Sequence, residues 1–304
     1  MSDLQKVYEQ FRDELIAHKL LVPCDVPGVF GRGGVFEDVV DRIGVLISSH
    51  GKDQHAEVQR YPPLLSRKSY ERTEHLKSFP DLLGSVHSFR GKDADHLALL
   101  EKFEKGEDWS AGLPKADVVL TPAACYPIYP ASTGTLSEQG RTVDILSYCF
   151  RHEPSPDPAR MQMFRQREYV RVGTPEQIDV FRKTWYDRGQ EVLAELGLEA
   201  RPDIANDPFF GRGGKMLKMN QRDQALKHEL LIDITSSEKP TACVSINYHQ
   251  DHFGHLFDIK TQDGKYAHTS CIGFGMERIT LAMFKKHGYS TQEWPKAVRE
   301  KLGL

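Results

Sequence analysis

The first residues that could do chemistry are FRHE, from Phe150 to Glu153, at the end of an alternating segment and before a polar loop. An arginine and a glutamate two positions apart on a strand point to the same side. Arg151 could then hold a phosphate or a carboxylate through its two-pronged guanidinium group. The alternative is a cross-strand ion pair on the surface, and the tetrapeptide taken alone favours that alternative.

A second candidate is GFGMER, from Gly273 to Arg278, where two glycines precede a strongly amphipathic segment. Backbone N–H groups and the dipole at the start of a helix favour a bound anion. Arg278 lies off the apolar stripe of that helix, so we expect it to be free to reach a ligand. A glycine-rich turn between a strand and a helix, without any ligand, explains the same residues equally well.

The third candidate consists of Cys125, Glu168 and Cys271, each in an apolar, β-rich stretch near one of the other candidates. Two thiolates and a carboxylate can bind Zn²⁺ and leave a fourth position open. However, the chain offers no CxxC spacing, and isolated cysteines are more often buried as small apolar side chains. These residue types alone therefore favour burial over metal binding.

Alternating segments, typical of β-strands, carry these residues. Two of them, TVDILSYCFRHE and MQMFRQREYVRVG, are separated by the turn-rich sequence PSPDPAR and predict an antiparallel pair joined by a long loop. The residues that share a face are, on the first run, Ser147, Cys149, Arg151 and Glu153, and, on the second, Phe164, Gln166, Glu168 and Val170. The opposite face of the second run carries Arg165, Arg167 and Arg171.

A third alternating run, TACVSINYH, has one polar face that we expect to line a site: Cys243, Ser245, Asn247 and His249. Helices are predicted over residues 3–20, 35–48 and 94–105 from the spacing of their apolar residues. Another helix should follow Thr174, with Pro175 at its first position and Gln177 completing a capping box. Residues 55–92 mix short helical and extended signals and predict no clear element.

The chain has 304 residues, of which 39% are hydrophobic and 27% charged, as in globular proteins. No linker divides it, so we predict a single domain over residues 1–304. The formal net charge of −3 is weak evidence against a large nucleic-acid footprint. The N-terminal segment does not resemble a signal peptide and no run approaches about 18 apolar residues, so we expect no membrane partner. Five widely spaced cysteines indicate a reducing, cytoplasmic setting.

In order along the chain, CFRHE…MFRQREYVRV resembles motif 2 of the class II aminoacyl-tRNA synthetases, and GFGMERITLAMF resembles motif 3. The segment SFPDLLGSVHSF, with Pro80, loosely resembles the dimer-forming motif 1. Over nearly the whole chain, LTPAACYPIYP, GRGGVFEDV, INYHQDHFG and HTSCIGFGMERI resemble the amino acid:[carrier protein] ligases, truncated relatives of atypical zinc-dependent seryl-tRNA synthetases. The resemblance implies an α+β fold, with an antiparallel sheet flanked by helices, and a homodimer.

The same resemblance implies that Cys125, Glu168 and Cys271 hold one Zn²⁺ per subunit, which reverses the interpretation from residue types alone. The implied reaction activates glycine or alanine with ATP and Mg²⁺ to an aminoacyl-adenylate. The aminoacyl group then passes to the phosphopantetheine thiol of a carrier protein. The substrate amine would occupy the open metal position, so Glu168 would bind substrate and share in catalysis with Arg151.

The resemblance also assigns residues to ATP. Arg151 would stabilise the α-phosphate, and Arg278 would lie against the adenine ring or the γ-phosphate. The other ATP-binding residues would be Glu153 with the backbone of Arg160 and Met161 beside the adenine, and the strand Ala242, Cys243, Val244 and Ser245. An acidic metal ligand often found on that strand is replaced by Thr241 or Ala242, so how magnesium is held stays open, with Glu229 and Glu238 as nearby candidates.

Two other functions stay open: a seryl-type synthetase that acts on tRNA, and a catalytically silent paralogue that serves as a binding subunit. Only about 20–30 residues precede the core-like pattern, so we do not expect the added tRNA-binding domain of such synthetases or a tRNA partner. Carrier proteins are acidic, and the basic segment from Arg212 to Lys227 is a candidate docking surface. A solvated helix face explains that segment equally well.

Overall fold

The computed structural model describes residues 3–205, 207 and 224–304. The helices in these ranges are α1 (Asp3–Ala17), α2 (Gly34–His50), α3 (Arg67–Arg72), α4 (His75–Ser78), α5 (Asp93–Glu104), α6 (Pro175–Glu195), α7 (His252–Phe257), α8 (Met276–His287) and α9 (Lys296–Leu302). The strands are β1 (Leu21–Pro23), β2 (Phe30–Arg32), β3 (Glu57–Tyr61), β4 (Leu64–Ser66), β5 (Ser85–His87), β6 (Lys115–Leu120), β7 (Gly134–Thr135), β8 (Arg141–Phe150), β9 (Met163–Gly173), β10 (Arg201–Ile204), β11 (Lys227–Ile232), β12 (Thr241–Gln250), β13 (Ile259–Lys260) and β14 (His268–Gly275).

A seven-stranded sheet in the order β10-β11-β12-β14-β9-β8-β3 forms the centre of the fold. Its neighbours are antiparallel except β3 and β8, which run parallel. The predicted strand pair is β8 with β9, in register from Arg141 opposite Val172 to Phe150 opposite Met163. The α+β fold with a mainly antiparallel sheet flanked by helices, which the family resemblance implied, is therefore confirmed.

One face of the sheet carries the larger hydrophobic core, which includes apolar residues of α2, α6 and α8. Helix α6 begins with the predicted capping box: Thr174 Oγ1 accepts the N–H of Gln177, and Gln177 Oε1 accepts the N–H of Thr174. Its predicted apolar stripe is buried: Ile178, Phe181, Trp185, Val192, Leu193 and Leu196. The cap and the stripe together fix the helix against the back of the sheet.

Arginines on the same side as this core tie β9 to its surroundings. Arg167 Nε lies 2.8 Å from Asp144 Oδ1 on β8, and both side chains are buried. Arg165 pairs with Glu277 at the start of α8 and with Glu37 in α2, at 2.8 and 2.6 Å. The alternation of the sequence predicted that these arginines lie on the face of the strand opposite to Glu168. The cost of burying their charge is compensated by the paired carboxylates.

The other face of the sheet is covered by a smaller core, which includes the loop after β6 and helix α7. Beside it, β4, β6 and β5 form a three-stranded sheet next to α3 and α4, so residues 55–92 consist of several short elements. Pro80 opens a short 3-10 turn before β5, in this small sheet. The dimer expected from that segment stays a prediction. None of the helices in the described ranges has the length and apolar character needed to cross a bilayer.

Candidate active site and metal centre

The register of the large sheet aligns polar side chains of separate strands into rows on the face opposite the larger core. One row consists, from β11 to β9, of Glu229, Ser245, Gly273 and Glu168. The next consists of Lys227, Asn247, Cys271 and Val170. Because side chains two residues apart share a face, both rows look toward the same space. The polar face predicted for β12 is confirmed, since Cys243, Ser245, Asn247 and His249 line that space.

The proposed metal ligands come together although they are far apart in the chain. Donor atoms of Cys125, Glu168 and Cys271 all lie within 4.8 Å of one another, and all three residues are buried. Cys125 is in the loop after β6, where the N–H of Ala124 donates to Gln166 Oε1 on β9 at 3.3 Å. Asn247 Nδ2 approaches Cys271 Sγ to 3.6 Å. Strands and loop therefore hold the three donors in place.

The electrostatics of this trio fit a cation. Burial raises the pKa of Glu168 to about 7, so its carboxylate is destabilised where it lies. Glu168 Oε2 is buried and accepts no hydrogen bond from any part of the protein that the structure describes. Two sulfurs and one carboxylate are a donor set that zinc accepts, and all three residues line a cavity from which a fourth ligand could approach. The geometry thus favours metal binding over simple burial of the cysteines.

The cavity beside the trio has a volume of about 250 Å³. Ten of the residues predicted to bind metal, substrate or ATP line it: Cys125, Arg151, Glu153, Glu168, Ala242, Cys243, Val244, Ser245, Cys271 and Arg278. Residues from motifs 2 and 3 and from the strand between them therefore meet in one space.

Arg151 and Glu153 lie just beyond the end of β8, yet both reach the cavity. Arg151 Nε donates to the carbonyl of Pro122 at 3.1 Å, and its guanidinium carbon lies 5.5 Å from the centre of the Phe164 ring. Glu153 Oε1 lies 3.7 Å from Arg160 NH1. FRHE therefore forms part of a cavity wall, and the surface ion pair involves Glu153 with Arg160 instead of Arg151.

Arg160 and Met161 lie next to other predicted ATP residues but do not line the cavity itself. The Arg160 side chain is 54% exposed and does not line the cavity. Met161 is buried against a small separate void that Arg278 and Ala159 also border. Only the backbone of these two residues was assigned to the adenine, and that assignment stays a prediction.

Arg278 corrects one expectation. It lines the cavity, but its Nε donates to the carbonyl of Ala159 at 3.0 Å and its NH1 to that of Ala242 at 2.9 Å. The arginine therefore links the loop between β8 and β9 to strand β12 and is not a free side chain. The predicted helix after the two glycines is confirmed: α8 begins at Met276, and Gly275 is its N-cap.

The expected docking surface is also corrected where the structure describes it. Arg212 and residues 208–223 lie outside the described residues. Lys227 faces the cavity, with Nζ 2.5 Å from Asp207 and 3.1 Å from Glu229. Burial lowers the pKa of Lys227, but these two carboxylates raise it more. Lys227 therefore cannot steer a partner from the surface.

Several cavity residues were not predicted as site residues. Helix α4 contributes His75, whose Nδ1 lies 3.1 Å from the hydroxyl of Tyr70, and burial lowers the pKa of His75 to about 4. Tyr126 and Phe253 add aromatic walls.

Between the magnesium candidates, Glu229 lines the cavity opposite Ser245, whereas Glu238 is exposed in a turn. The segment KHELLI has three polar residues followed by three apolar ones, so no alternation in it indicated that Lys227 and Glu229 face a site.

Comparison with known proteins places the chain in a family. No family model matches it. It is 46% identical over 291 residues to amino acid--[acyl-carrier-protein] ligase 1 of Bradyrhizobium diazoefficiens, covering 95% of this chain and 89% of the relative. Ligase 2 of the same organism is 47% identical over 95% of this chain and 87% of its own length.

More distant similarities extend to tRNA ligases. The type-2 serine--tRNA ligase of Methanococcus aeolicus is 27% identical over 194 residues, which are 61% of this chain and 37% of that protein. A chain in the crystal structure of A. aeolicus tRNASec in complex with M. kandleri SerRS superposes with a TM-score of 0.81 at 20% identity. That match covers 99% of this chain and 60% of the other, and at this identity it shows the fold alone. The chain therefore belongs to the amino acid--[acyl-carrier-protein] ligases, a family of enzymes with the fold of a class II seryl-tRNA synthetase and a shorter chain.

Proposed function

We propose that this enzyme activates a small amino acid, glycine or alanine, with ATP and transfers it to the phosphopantetheine thiol of a carrier protein. The observation that carries the proposal is the single cavity shared by the Cys125–Glu168–Cys271 trio, Arg151 and Arg278. The names of the two relatives from B. diazoefficiens support an amino acid and an acyl carrier protein as reactants.

The trio would hold Zn²⁺, and its burial and the unpaired Oε2 of Glu168 support that assignment. When bound, the metal would supply an open coordination position for the free-base α-amine of the substrate. Glu168 would orient the amine end of the substrate, because its carboxylate lies at the cavity wall.

In the first step, the substrate carboxylate would attack the α-phosphorus of ATP and displace pyrophosphate. Arg151 is suited to stabilise the negative charge that builds on the α-phosphate. Its Nε is already anchored on the carbonyl of Pro122, so the guanidinium group is pre-positioned and little order has to be gained on binding. Arg278 would contact the nucleotide at the other end of the cavity, and Glu153 would contact the adenine.

Magnesium would accompany ATP. Glu229 is the better supported carboxylate for it, because it lies beside Ser245 on the cavity wall, whereas Glu238 is exposed in a turn. Carboxylate and hydroxyl oxygens are ligands that Mg²⁺ accepts together with substrate phosphates.

In the second step, the carrier thiol would attack the carbonyl carbon of the adenylate, and AMP would leave.

A small amino acid is supported by the enclosure of the trio. The ring of Tyr129 stacks on Phe253 at 3.8 Å, and His249 meets the same ring edge-on at 5.0 Å. These rings lie beside the metal donors, with His249 Nε2 3.9 Å from Cys271 Sγ, and would favour a substrate with a short side chain.

Further parts of the proposal concern partners and place. We propose a homodimer and no tRNA substrate. We also propose a reducing cytoplasmic setting, in keeping with the free cysteines among the described residues. Serine--tRNA ligase activity is the competing function that the distant relatives raise.

The test is ATP–pyrophosphate exchange with glycine, alanine and serine, before and after treatment with a zinc chelator. We expect exchange with glycine or alanine that the chelator abolishes and added Zn²⁺ restores. Separate reactions with a phosphopantetheinylated carrier and with a tRNA pool then identify the acceptor. Exchange with none of the three amino acids would refute the activation step, and charging of tRNA alone would favour the competing function.

A further inference from the structure

Gln166 is a cavity-lining side chain on β9 whose carbonyl end is fixed by two hydrogen bonds. Its Oε1 accepts the N–H of Ala124 at 3.3 Å and the S–H of Cys149 at 3.2 Å. A backbone N–H can only donate, so the atom that faces Ala124 must be the carbonyl oxygen. Burial raises the pKa of Cys149 well above its ordinary value, so Cys149 is a thiol and also donates.

The orientation of the carbonyl determines where the amide nitrogen points. Nε2 carries two N–H donors and lies at the opposite corner of the same planar group. Within residues 3–205, 207 and 224–304, no protein acceptor pairs with it. A donor with unused capacity on a cavity wall has an acceptor to gain from a bound ligand.

Neighbours along β9 indicate which part of a ligand Gln166 would meet. Phe164, Gln166 and Glu168 follow one another at every second position, so they share a face about 7 Å apart. The guanidinium group of Arg151 lies over Phe164, 5.5 Å from the ring centre. Gln166 therefore lies between the arginine and the carboxylate of the metal trio.

We propose that Gln166 Nε2 binds the carboxylate of the amino-acid substrate and, after activation, the carbonyl oxygen of the adenylate. This inference rests on the proposed function, in which the amine lies at Glu168 and the α-phosphate at Arg151. The carbon that joins these two ends then lies opposite Gln166. A neutral amide orients the carboxylate without neutralising the negative charge that makes it a nucleophile.

The same donor serves the transfer step. As the thiol sulfur bonds to the carbonyl carbon, the carbonyl oxygen gains negative charge and the thiol proton passes to solvent. The bond from that carbon to the phosphate oxygen then breaks, and AMP leaves with the electron pair. A hydrogen bond from Nε2 stabilises the charged oxygen, as donors of an oxyanion hole do.

The test uses Gln166→Glu, which keeps an oxygen for the Ala124 N–H and replaces the NH₂ donor by a second oxygen. We expect unchanged zinc content, an unchanged KM for ATP and a fall of about 100-fold in kcat/KM for the amino acid. Gln166→Met removes both ends and should also weaken zinc binding. Cys149→Ala is the matched control, since it leaves the amide and the Ala124 contact in place and should retain most of the activity.

Two results would overturn the inference while the wild-type enzyme is active. A rate of pyrophosphate exchange by Gln166→Glu within about threefold of the wild-type rate would show that the Nε2 donor does not bind the reacting carboxylate. Loss of one such donor lowers the rate of an enzyme by much more than threefold. If Gln166→Glu lost zinc in proportion to its loss of activity, Gln166 would only position the loop that carries Cys125 and would not bind the substrate. A wild-type enzyme that exchanges with no amino acid would instead refute the proposed function, and this inference with it.

Discussion

The buried ion pair between Asp144 and Arg167 gives a sharp prediction about stability. The two side chains are 6% and 7% exposed, and Arg167 meets both carboxylate oxygens, at 2.8 and 2.5 Å. Asp144→Ala leaves the guanidinium charge buried without its carboxylate, although the carbonyl of Gly44 and the hydroxyl of Ser48 still accept from it. Removing one partner of such a pair costs about 3–5 kcal/mol in the free energy of unfolding.

This cost converts to a measurable fall in the melting temperature. An unfolding entropy of about 2.1 cal/mol/K per residue gives about 0.64 kcal/mol/K for 304 residues. Asp144→Ala should therefore lower the Tm by about 5–8 °C, measured by circular dichroism. The control is Glu101→Gln, which breaks an exposed pair with Lys105 and should change stability by less than about 0.5 kcal/mol.

Equal shifts of the melting temperature in Asp144→Ala and Glu101→Gln would show that the buried pair contributes no more to stability than an exposed one. A second comparison separates burial of charge from loss of packing. Replacing Asp144 and Arg167 together by Leu and Met removes the unpaired charge, so this double variant should be more stable than Asp144→Ala alone. A double variant that is less stable than the single one would show that the charge was not the source of the cost.

Three further predictions concern the site. Cys125→Ser and Cys271→Ser should each weaken zinc binding more than about 100-fold, measured by competition with a chromogenic chelator. Cys24→Ser, the control at an exposed cysteine, should leave zinc affinity unchanged. Equal zinc affinities of all three variants would contradict the metal assignment. Arg151→Lys keeps the positive charge but loses the two-pronged guanidinium donor, so the rate of pyrophosphate exchange should fall about 100-fold while the zinc content is unchanged. An unchanged exchange rate would show that Arg151 does not bind the α-phosphate. Burial lowers the pKa of His75 to about 4 in the folded protein, below its unfolded value of 6.5. Between these pH values the unfolded chain binds more protons, so the free energy of unfolding decreases as the pH falls from 6.5 to 4. His75→Gln should flatten this loss, worth about 3 kcal/mol, in urea unfolding at pH 7 and pH 4, and an equal loss in both proteins would contradict the cause.

Patterns that depend on nearby residues were predicted well from the sequence. Alternation in TVDILSYCFRHE and MQMFRQREYVRVG predicted the β8–β9 pair because side-chain direction in a strand repeats every two residues. The Thr174 capping box and the stripe of α6 were predicted because both are properties of a single helix. The polar face of β12 was predicted because alternation within a single strand determines which side chains share a face.

Properties that depend on distant parts of the chain were not predicted from residue types. Cys125, Glu168 and Cys271 lie on three separate elements, so their spacing carried no metal signal, and only the family resemblance indicated their meeting. Arg278 was expected to be free because its acceptors, the carbonyls of Ala159 and Ala242, belong to other segments.

Charge alone was equally misleading at Lys227. A basic residue in a basic segment indicates a solvated surface, yet the strand turns its side chain toward Asp207 and Glu229. Helix α4 escaped prediction because four residues, from His75 to Ser78, are too few to show a helical period. The cavity wall that it forms was therefore missing from the predicted site.

The most direct test of the central claim is the intact mass of a phosphopantetheinylated carrier protein after incubation with the enzyme, ATP, Zn²⁺ and glycine or alanine. We predict a mass increase equal to one aminoacyl group, which hydroxylamine removes because the bond is a thioester. The increase should be absent without ATP and after chelation of zinc. An unchanged carrier mass together with aminoacylated tRNA in a parallel reaction would contradict aminoacyl transfer to a carrier protein.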